Sequence, residues 1–155
     1  DNIGEKSRNL IDKMSDIVWL INPNKDSLYD LIIRLKDNYS EIFSHNNISF
    51  KTFELTSLQK VKLSMEKRQN LYLIFKEGIT NCLKHSKCGQ IFFKVEIKGN
   101  QMALSLTDDG KGFSGEGRGN GLKNMMYRAK LIGGSLTIES TPGKGTEVKY
   151  SGKIK

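Results

Sequence analysis

Residues 101–113 read Gln-Met-Ala-Leu-Ser-Leu-Thr-Asp-Asp-Gly-Lys-Gly-Phe, an alternating run that ends in two acids and opens into glycine. Strand periodicity puts Met102, Leu104, Leu106 and Asp108 on one face and Ser105, Thr107 and Asp109 on the other. The apolar face belongs to a core, so Asp108 is the acid at the rim of that core. Working outward, Gln90 to Lys98 alternates in the same way, and Gly99-Asn100 between the two runs suits a tight hairpin. Ser135 to Ser140 and Gly145 to Ser151 form a second alternating pair around the turn Thr141-Pro142-Gly143-Lys144. Ten of the fifteen glycines fall between Gly110 and Gly145, where the backbone must turn tightly or lie close to something.

The N-terminal half reads differently. Ile3, Leu10 and Ile17, with Met14 and Ile21, form a heptad-like seam that stops at Asn22-Pro23, a stripe made for a partner helix. Ser27 and Asp30 make a capping-box start for a second helix through Leu28, Leu31, Ile32, Leu35 and Tyr39 to about Phe43. Ile48 to Leu55 alternates as a strand. Ser64 opens a long helix with Leu71, Phe75, Gly78 and Cys82 on one side, ending near Ser86. A last helix runs from about Leu122 to Ile132 and is stopped by Gly133-Gly134. This order predicts an α+β two-layer sandwich, with helices on one face of a mixed, mostly antiparallel sheet. With 155 residues, the chain divides into a helical appendage over residues 1–26 and one domain over residues 27–155.

Composition narrows the class. Hydrophobic residues at 37% and charged residues at 27% describe a soluble globular protein, and no run approaches the roughly 18 apolar residues of a membrane span. Cys82 and Cys88 are too few for a disulfide framework, which fits a reducing, cytoplasmic compartment. A net charge of +8 points to an anionic partner without choosing among nucleic acid, membrane and nucleotide phosphate.

Three features carry candidate chemistry. On the long helix, Glu77, Asn81 and Lys84 fall within an arc of about 60° at 3.6 residues per turn. A carboxylate, an amide oxygen and an ammonium there suit hydrated Mg²⁺ with attached phosphates, and equally suit a solvated face with an ion pair. Asp108 at the rim of an apolar pocket needs donors, and the exocyclic amine of adenine is one it could select. Asp-Asp-Gly is also a common turn, and with no third carboxylate nearby a metal reading of the pair is poor. Gly115, Gly117, Gly119 and Gly121 precede the last helix and form an anion-binding type of loop, with Arg118 and Lys123 adding charge. Gly119 and Gly121 match part of a dinucleotide fingerprint but lack its parallel βαβ context. Gly143-Lys144-Gly145-Thr146 lacks the position of a Walker loop.

The order of these segments is more specific than any one of them. Glu77-Gly78-Ile79-Thr80-Asn81-Cys82-Leu83-Lys84-His85-Ser86 resembles the N box of sensor histidine kinases. Asp108-Asp109-Gly110-Lys111-Gly112-Phe113 resembles their Asp-x-Gly-x-Gly box, Gly119-Asn120-Gly121-Leu122 their second glycine box, and Gly143-Lys144-Gly145-Thr146 their final Gly-Thr element. All four stand in family order. The chain therefore resembles the catalytic ATP-binding domain (Bergerat fold) of a two-component sensor histidine kinase. The short segment between the glycine boxes, with Lys13 to Pro23, resembles the subfamily paired with LuxR-type response regulators.

The resemblance implies ATP and Mg²⁺. It implies that Asn81 coordinates Mg²⁺, Glu77 holds Mg²⁺ or its water, Lys84 meets phosphate and Asp108 bonds the adenine amine. Gly110 and Gly112 would line the adenine pocket, and Gly119, Gly121 and Leu122 would shape the lid, with Arg118 as a lid cation by position. Thr146 would support Asp108 through water. Ile3 to Ile21 is similar to the second helix of the dimerisation and phosphotransfer hairpin, which implies a homodimer in the intact kinase. The parent protein could then be membrane-anchored, with this part on the cytoplasmic side.

One departure matters. Neither His45, in a polar loop, nor His85, in the N box, fits the family's phosphoacceptor histidine, so the 155 residues are expected to bind ATP without phosphorylating themselves. An anti-sigma-type serine kinase shares the boxes, but the seam ending at Trp19 and Pro23 argues against it. A basic nucleic-acid-binding domain would need a recognition helix or aromatic residues interleaved with arginine, and the lysines here are scattered, so no direct nucleic-acid partner is expected. Intact boxes argue against a degenerate scaffold.

Overall fold

A computed structural model of the chain describes residues 2–53, 55–112 and 120–155, apart from the side chains at 85 and 86. The elements run α1 (Asn2–Ile21), α2 (Leu28–His45), β1 (Ser49–Thr52), α3 (Met65–Asn81), β2 (Gln90–Lys98), β3 (Gln101–Asp108), α4 (Asn120–Leu131), β4 (Ser135–Thr141) and β5 (Gly145–Lys153). A 3-10 turn occupies Thr56–Lys60 and a π turn Cys82–Ser86. The five strands form one sheet in the order β1-β2-β3-β5-β4, with β1 parallel to β2 and every other neighbour antiparallel. This is the mixed, mostly antiparallel α+β arrangement that the sequence predicts.

Local signals account for most of the elements. Ser27 caps α2 in a full capping box: its hydroxyl accepts from the Asp30 amide at 3.1 Å, and the Asp30 carboxylate accepts from the Ser27 amide at 3.2 Å. Such a cap stabilises a helix by about 1 kcal/mol. Gly99, at φ 58°, and Asn100 alone connect β2 to β3, with Lys98 opposite Gln101. Along β3, Met102, Leu104, Leu106 and Asp108 are buried, as alternation requires.

Three boundaries differ from expectation. β1 is four residues long rather than running from 48 to 55. Among the described residues it pairs only with β2, at the sheet edge, and the chain then leaves the edge for the 3-10 turn, which buries Leu58. The long helix is α-helical only to Asn81, and its last turn widens into the π turn before Lys87, at φ 51°, ends it. Helix α4, expected from about Leu122, already includes Asn120 and Gly121, so Gly121 lies in the helix rather than in the preceding loop.

α3 is the centre of the core. Leu71, Tyr72, Ile74, Phe75 and Ile79 are fully buried, and Phe75 meets Phe93 of β2 edge-on at 4.9 Å between ring centres. Gly78 lets the helix lie directly on the sheet, since a Cβ there would stand 2.9 Å from Leu106 Cδ2. Helix and strand are thereby fixed at close range where α3 passes the end of β3.

α1 leans on this core through one polar anchor. Asp16 is 8% exposed. Its Oδ1 accepts from Arg34 at 2.9 Å and Asn38 at 3.2 Å on α2, and from the Tyr72 hydroxyl at 2.9 Å on α3. Its Oδ2 accepts from Lys76 Nζ of α3 at 2.9 Å. Ile3, Leu10, Met14, Ile17 and Ile21, the predicted seam, remain exposed. Burial alone would raise the Asp16 carboxyl, but hydrogen bonds from Lys76, Tyr72 and Arg34 outweigh it and hold the group below its usual range. A depressed folded-state value contributes stability that is complete above the unfolded value, about 3.9, and lost as pH falls through the folded value. Thermal melts between pH 6 and pH 2 should therefore fall less steeply for Asp16→Asn than for the wild type. Parallel curves would remove Asp16 from the acid response.

Candidate functional site

The predicted site begins at the end of β3. Asp108 is 5% exposed; its Oδ1 accepts from the Gly110 amide at 2.8 Å, and its Oδ2 accepts from the Cys82 thiol at 3.1 Å. The neighbouring Cys88 thiol, burial and the Asp108 charge all push the Cys82 thiol far above the ordinary thiol range, so it stays protonated and donates. Asp109 points the other way, as alternation requires, and its Oδ1 accepts from the amides of Gly89 and Gln90 at 2.8 and 2.9 Å. The two acids thus have separate tasks: Asp109 clamps the chain entering β2, while Asp108 keeps acceptor capacity at the rim of the core.

The β4–β5 hairpin closes over the same strand end. Gly112, at φ 64°, lies so near the Thr141 carbonyl that a side chain there would collide with it, and the Gly143 amide donates to the Lys111 carbonyl at 2.6 Å. Gly145, at φ 89°, crosses directly over the Asp108 carbonyl. The next residue, Thr146, is the register partner of Asp108 across the β3–β5 ladder. Its hydroxyl shares a 2.8 Å hydrogen bond with the Ser140 hydroxyl. Gly112 is therefore explained first by the packing of loop against hairpin.

Glu77 and Asn81 stand one turn apart at the C-terminal end of α3, both half-buried. Gly121 of α4 lies against Glu77, where a Cβ would stand 2.5 Å from Oε1. The glycine keeps that carboxylate oxygen uncovered. Lys84 belongs to the π turn and is exposed, so the 60° arc expected of a continuous α-helix does not extend to it. Leu122 packs partly buried against the core. Gly110 is buried beside Asp108. Arg118 and Gly119 lie outside the described residues.

These oxygen atoms fit the groups that the sequence resemblance implies. A carboxylate offers about four acceptor positions, of which the described residues use two at Asp108, leaving room for an amine. Glu77 and Asn81 offer hard oxygen atoms, the type Mg²⁺ takes while keeping waters and phosphate oxygens as its other ligands.

Sequence reading missed two residues. The sequence places Cys82 on the apolar stripe and gives no sign that its thiol faces Asp108. Asp16 was passed over within the seam, although it stands three and four residues before Trp19 and Leu20, which pack on the core.

A family model described as histidine kinase-, DNA gyrase B- and HSP90-like ATPase matches residues 66–151. An uncharacterised sensor-like histidine kinase of Chloroflexus aurantiacus is 38% identical over 104 residues, covering 61% of this chain and 17% of that protein. The sensor histidine kinase LiaS of Bacillus subtilis is 33% identical over 95 residues, covering 59% of this chain and 26% of that protein. The chain thus spans less than a third of the length of either relative. The histidine kinase AdeS of Acinetobacter baumannii has the same fold, with a TM-score of 0.70 at 15% identity, over 99% of this chain and 85% of that structure. Boxes in family order, a shared fold and a match over more than half its length together assign the chain: it belongs to the histidine kinase-, DNA gyrase B- and HSP90-like ATPase family.

Proposed function

We propose that the chain is the ATP-binding catalytic part of a two-component sensor histidine kinase. In this reading the γ-phosphoryl group of ATP passes to a histidine whose motif neither His45 nor His85 carries, for relay to a response-regulator aspartate. The observation that carries the proposal is the buried Asp108 carboxylate, which keeps acceptor capacity at the rim of the core and meets Cys82, next in sequence to Asn81 on α3.

Asp108 accepts the adenine amine, with Gly110 and Gly112 bringing backbone to the base and Thr146 supporting the carboxylate. Glu77 and Asn81 hold Mg²⁺, whose charge would offset that of the phosphates. Lys84 meets phosphate as a mobile point charge, in keeping with its exposure, and Gly119, Gly121, Leu122 and Arg118 form the lid. Phosphoryl transfer needs chiefly positioning and charge stabilisation, and these residues supply both.

Residues 1–26 form the dimerisation element and residues 27–155 the catalytic domain. The five exposed apolar side chains of the α1 seam support a homodimer and weigh against the anti-sigma alternative. The LuxR-type regulator and the cytoplasmic location follow from the sequence resemblance. Among the described residues no helix is long and apolar enough to cross a membrane.

A thermal-shift titration tests the reading. A ligand at 100 times its dissociation constant stabilises the folded state by about 2.7 kcal/mol. For a domain of this size that raises the melting temperature by roughly 5–10 °C. ATP with Mg²⁺ should give such a rise, and Asn81→Ala should lose the share that depends on Mg²⁺. A wild type that ATP does not shift would overturn the assignment.

A further inference from the structure

We propose that Asp16 is a positioning residue for phosphoryl transfer. It seats α1 on the catalytic domain in one register and so sets how the phosphotransfer element meets bound ATP. This inference rests on the histidine kinase reading above.

The geometry is that of a built socket. Four donors from two elements converge on one buried carboxylate: Arg34 and Asn38 of α2, Tyr72 and Lys76 of α3. The socket is cross-braced, since Asn38 also donates to the Tyr72 hydroxyl at 2.6 Å and Arg34 to the Ser15 hydroxyl at 3.0 Å. Trp19, one turn further along α1, lies 5.9 Å from the Tyr72 ring, with the Arg34 guanidinium 5.8 Å from its centre. Hydrogen bonds to a single carboxylate specify register and rotation, which apolar packing alone does not. A shift of α1 by one residue would turn Asp16 away from all four donors.

The socket also adjoins the proposed chemistry. Lys76, which holds Asp16, is followed in sequence by Glu77, and Thr80 donates to the Lys76 carbonyl at 2.8 Å. A cleft of about 400 Å³ lies between α1, α3 and α4, with Asp16, Ile17 and Leu20 on one side and Glu77, Thr80 and Arg128 on the other. The seat of α1 therefore fixes one wall of a cleft whose opposite wall carries a proposed Mg²⁺ ligand. Asp16 touches no nucleotide atom in this scheme and acts through the placement of α1.

The test is made in the full-length sensor, with nucleotide binding measured in parallel on the 155-residue chain. For Asp16→Asn, kcat of autophosphorylation should fall at least tenfold while KM for ATP stays within twofold. Asp16→Glu should recover part of the rate, and Lys76→Met combined with Asp16→Asn should lose little more than Asp16→Asn alone. Hydrogen exchange on the 155-residue chain should speed up across residues 12–21 in Asp16→Asn, with ATP affinity retained. An unchanged or increased kcat overturns the proposal, as does unaltered exchange in α1 or a variant whose loss lies wholly in KM. A wild-type sensor that shows no transfer from ATP refutes instead the kinase reading on which the proposal rests.

Discussion

Replacing Asp108 with alanine is expected to weaken ATP binding by roughly 10- to 100-fold, because a hydrogen bond to a charged group contributes about 1.5–3 kcal/mol and each 1.4 kcal/mol is a factor of ten. The carboxylate is buried and acceptor-only, so in the proposed site it would select a donor on the base. A nucleotide with a carbonyl in place of the adenine amine would set two acceptors against each other. The variant also removes the carboxylate to which the buried Gly110 amide and the Cys82 thiol donate, which costs stability in its own right. Affinity must therefore be measured by calorimetry well below the melting temperature of each protein. A base analogue separates the two effects. Purine riboside triphosphate, which lacks the amine, should bind the wild type about as weakly as ATP binds Asp108→Ala, and the variant should barely distinguish the two nucleotides. If the wild type binds both equally well, Asp108 does not read the amine.

The legibility of this site followed the range of the interactions involved. Asp108 and Asp109 were separable because strand alternation is a local rule, and β3 obeys it to its last residue. The hairpin at Gly99-Asn100 and the Ser27 cap were readable for the same reason. Lys84 was misplaced because its position assumed 3.6 residues per turn beyond Asn81, whereas the π turn changes the period. Such a turn leaves no mark in a pattern of apolar residues. Cys82 and Asp16 were missed because their partners are remote, 26 residues away for the thiol and 18 to 60 residues away for the carboxylate. An acid beside an apolar seam reads as ordinary surface until the donors on two other helices are brought around it.

Motif matching gives Gly112 and the final Gly-Thr element roles near the nucleotide, but in the fold both glycines are first required by backbone contacts. This makes Gly145→Ala a severe substitution. Gly145 sits at φ 89°, a conformation that costs a residue with a side chain roughly 1–3 kcal/mol. Its new Cβ would also point into the carbonyl of Asp108, with the carbonyl carbon only 3.0 Å away, and that backbone is held in the β3–β5 ladder. Overpacking of this kind adds roughly 1–3 kcal/mol. A total of about 4 kcal/mol corresponds to a fall in melting temperature of roughly 8–16 °C for a domain of this size. The strain has one obvious release, which is for β5 to move away from β3 at its first pair. That movement would separate Thr146 from Asp108, so ATP affinity should fall together with stability. Gly143→Ala provides the control: its φ of 82° carries the same conformational penalty, but a Cβ there meets nothing within 4 Å among the described residues. It should lower the melting temperature by about half as much and leave ATP binding nearly intact. Equal losses in the two variants would mean that backbone conformation alone sets the cost and that the close crossing over Asp108 has no part in holding the site.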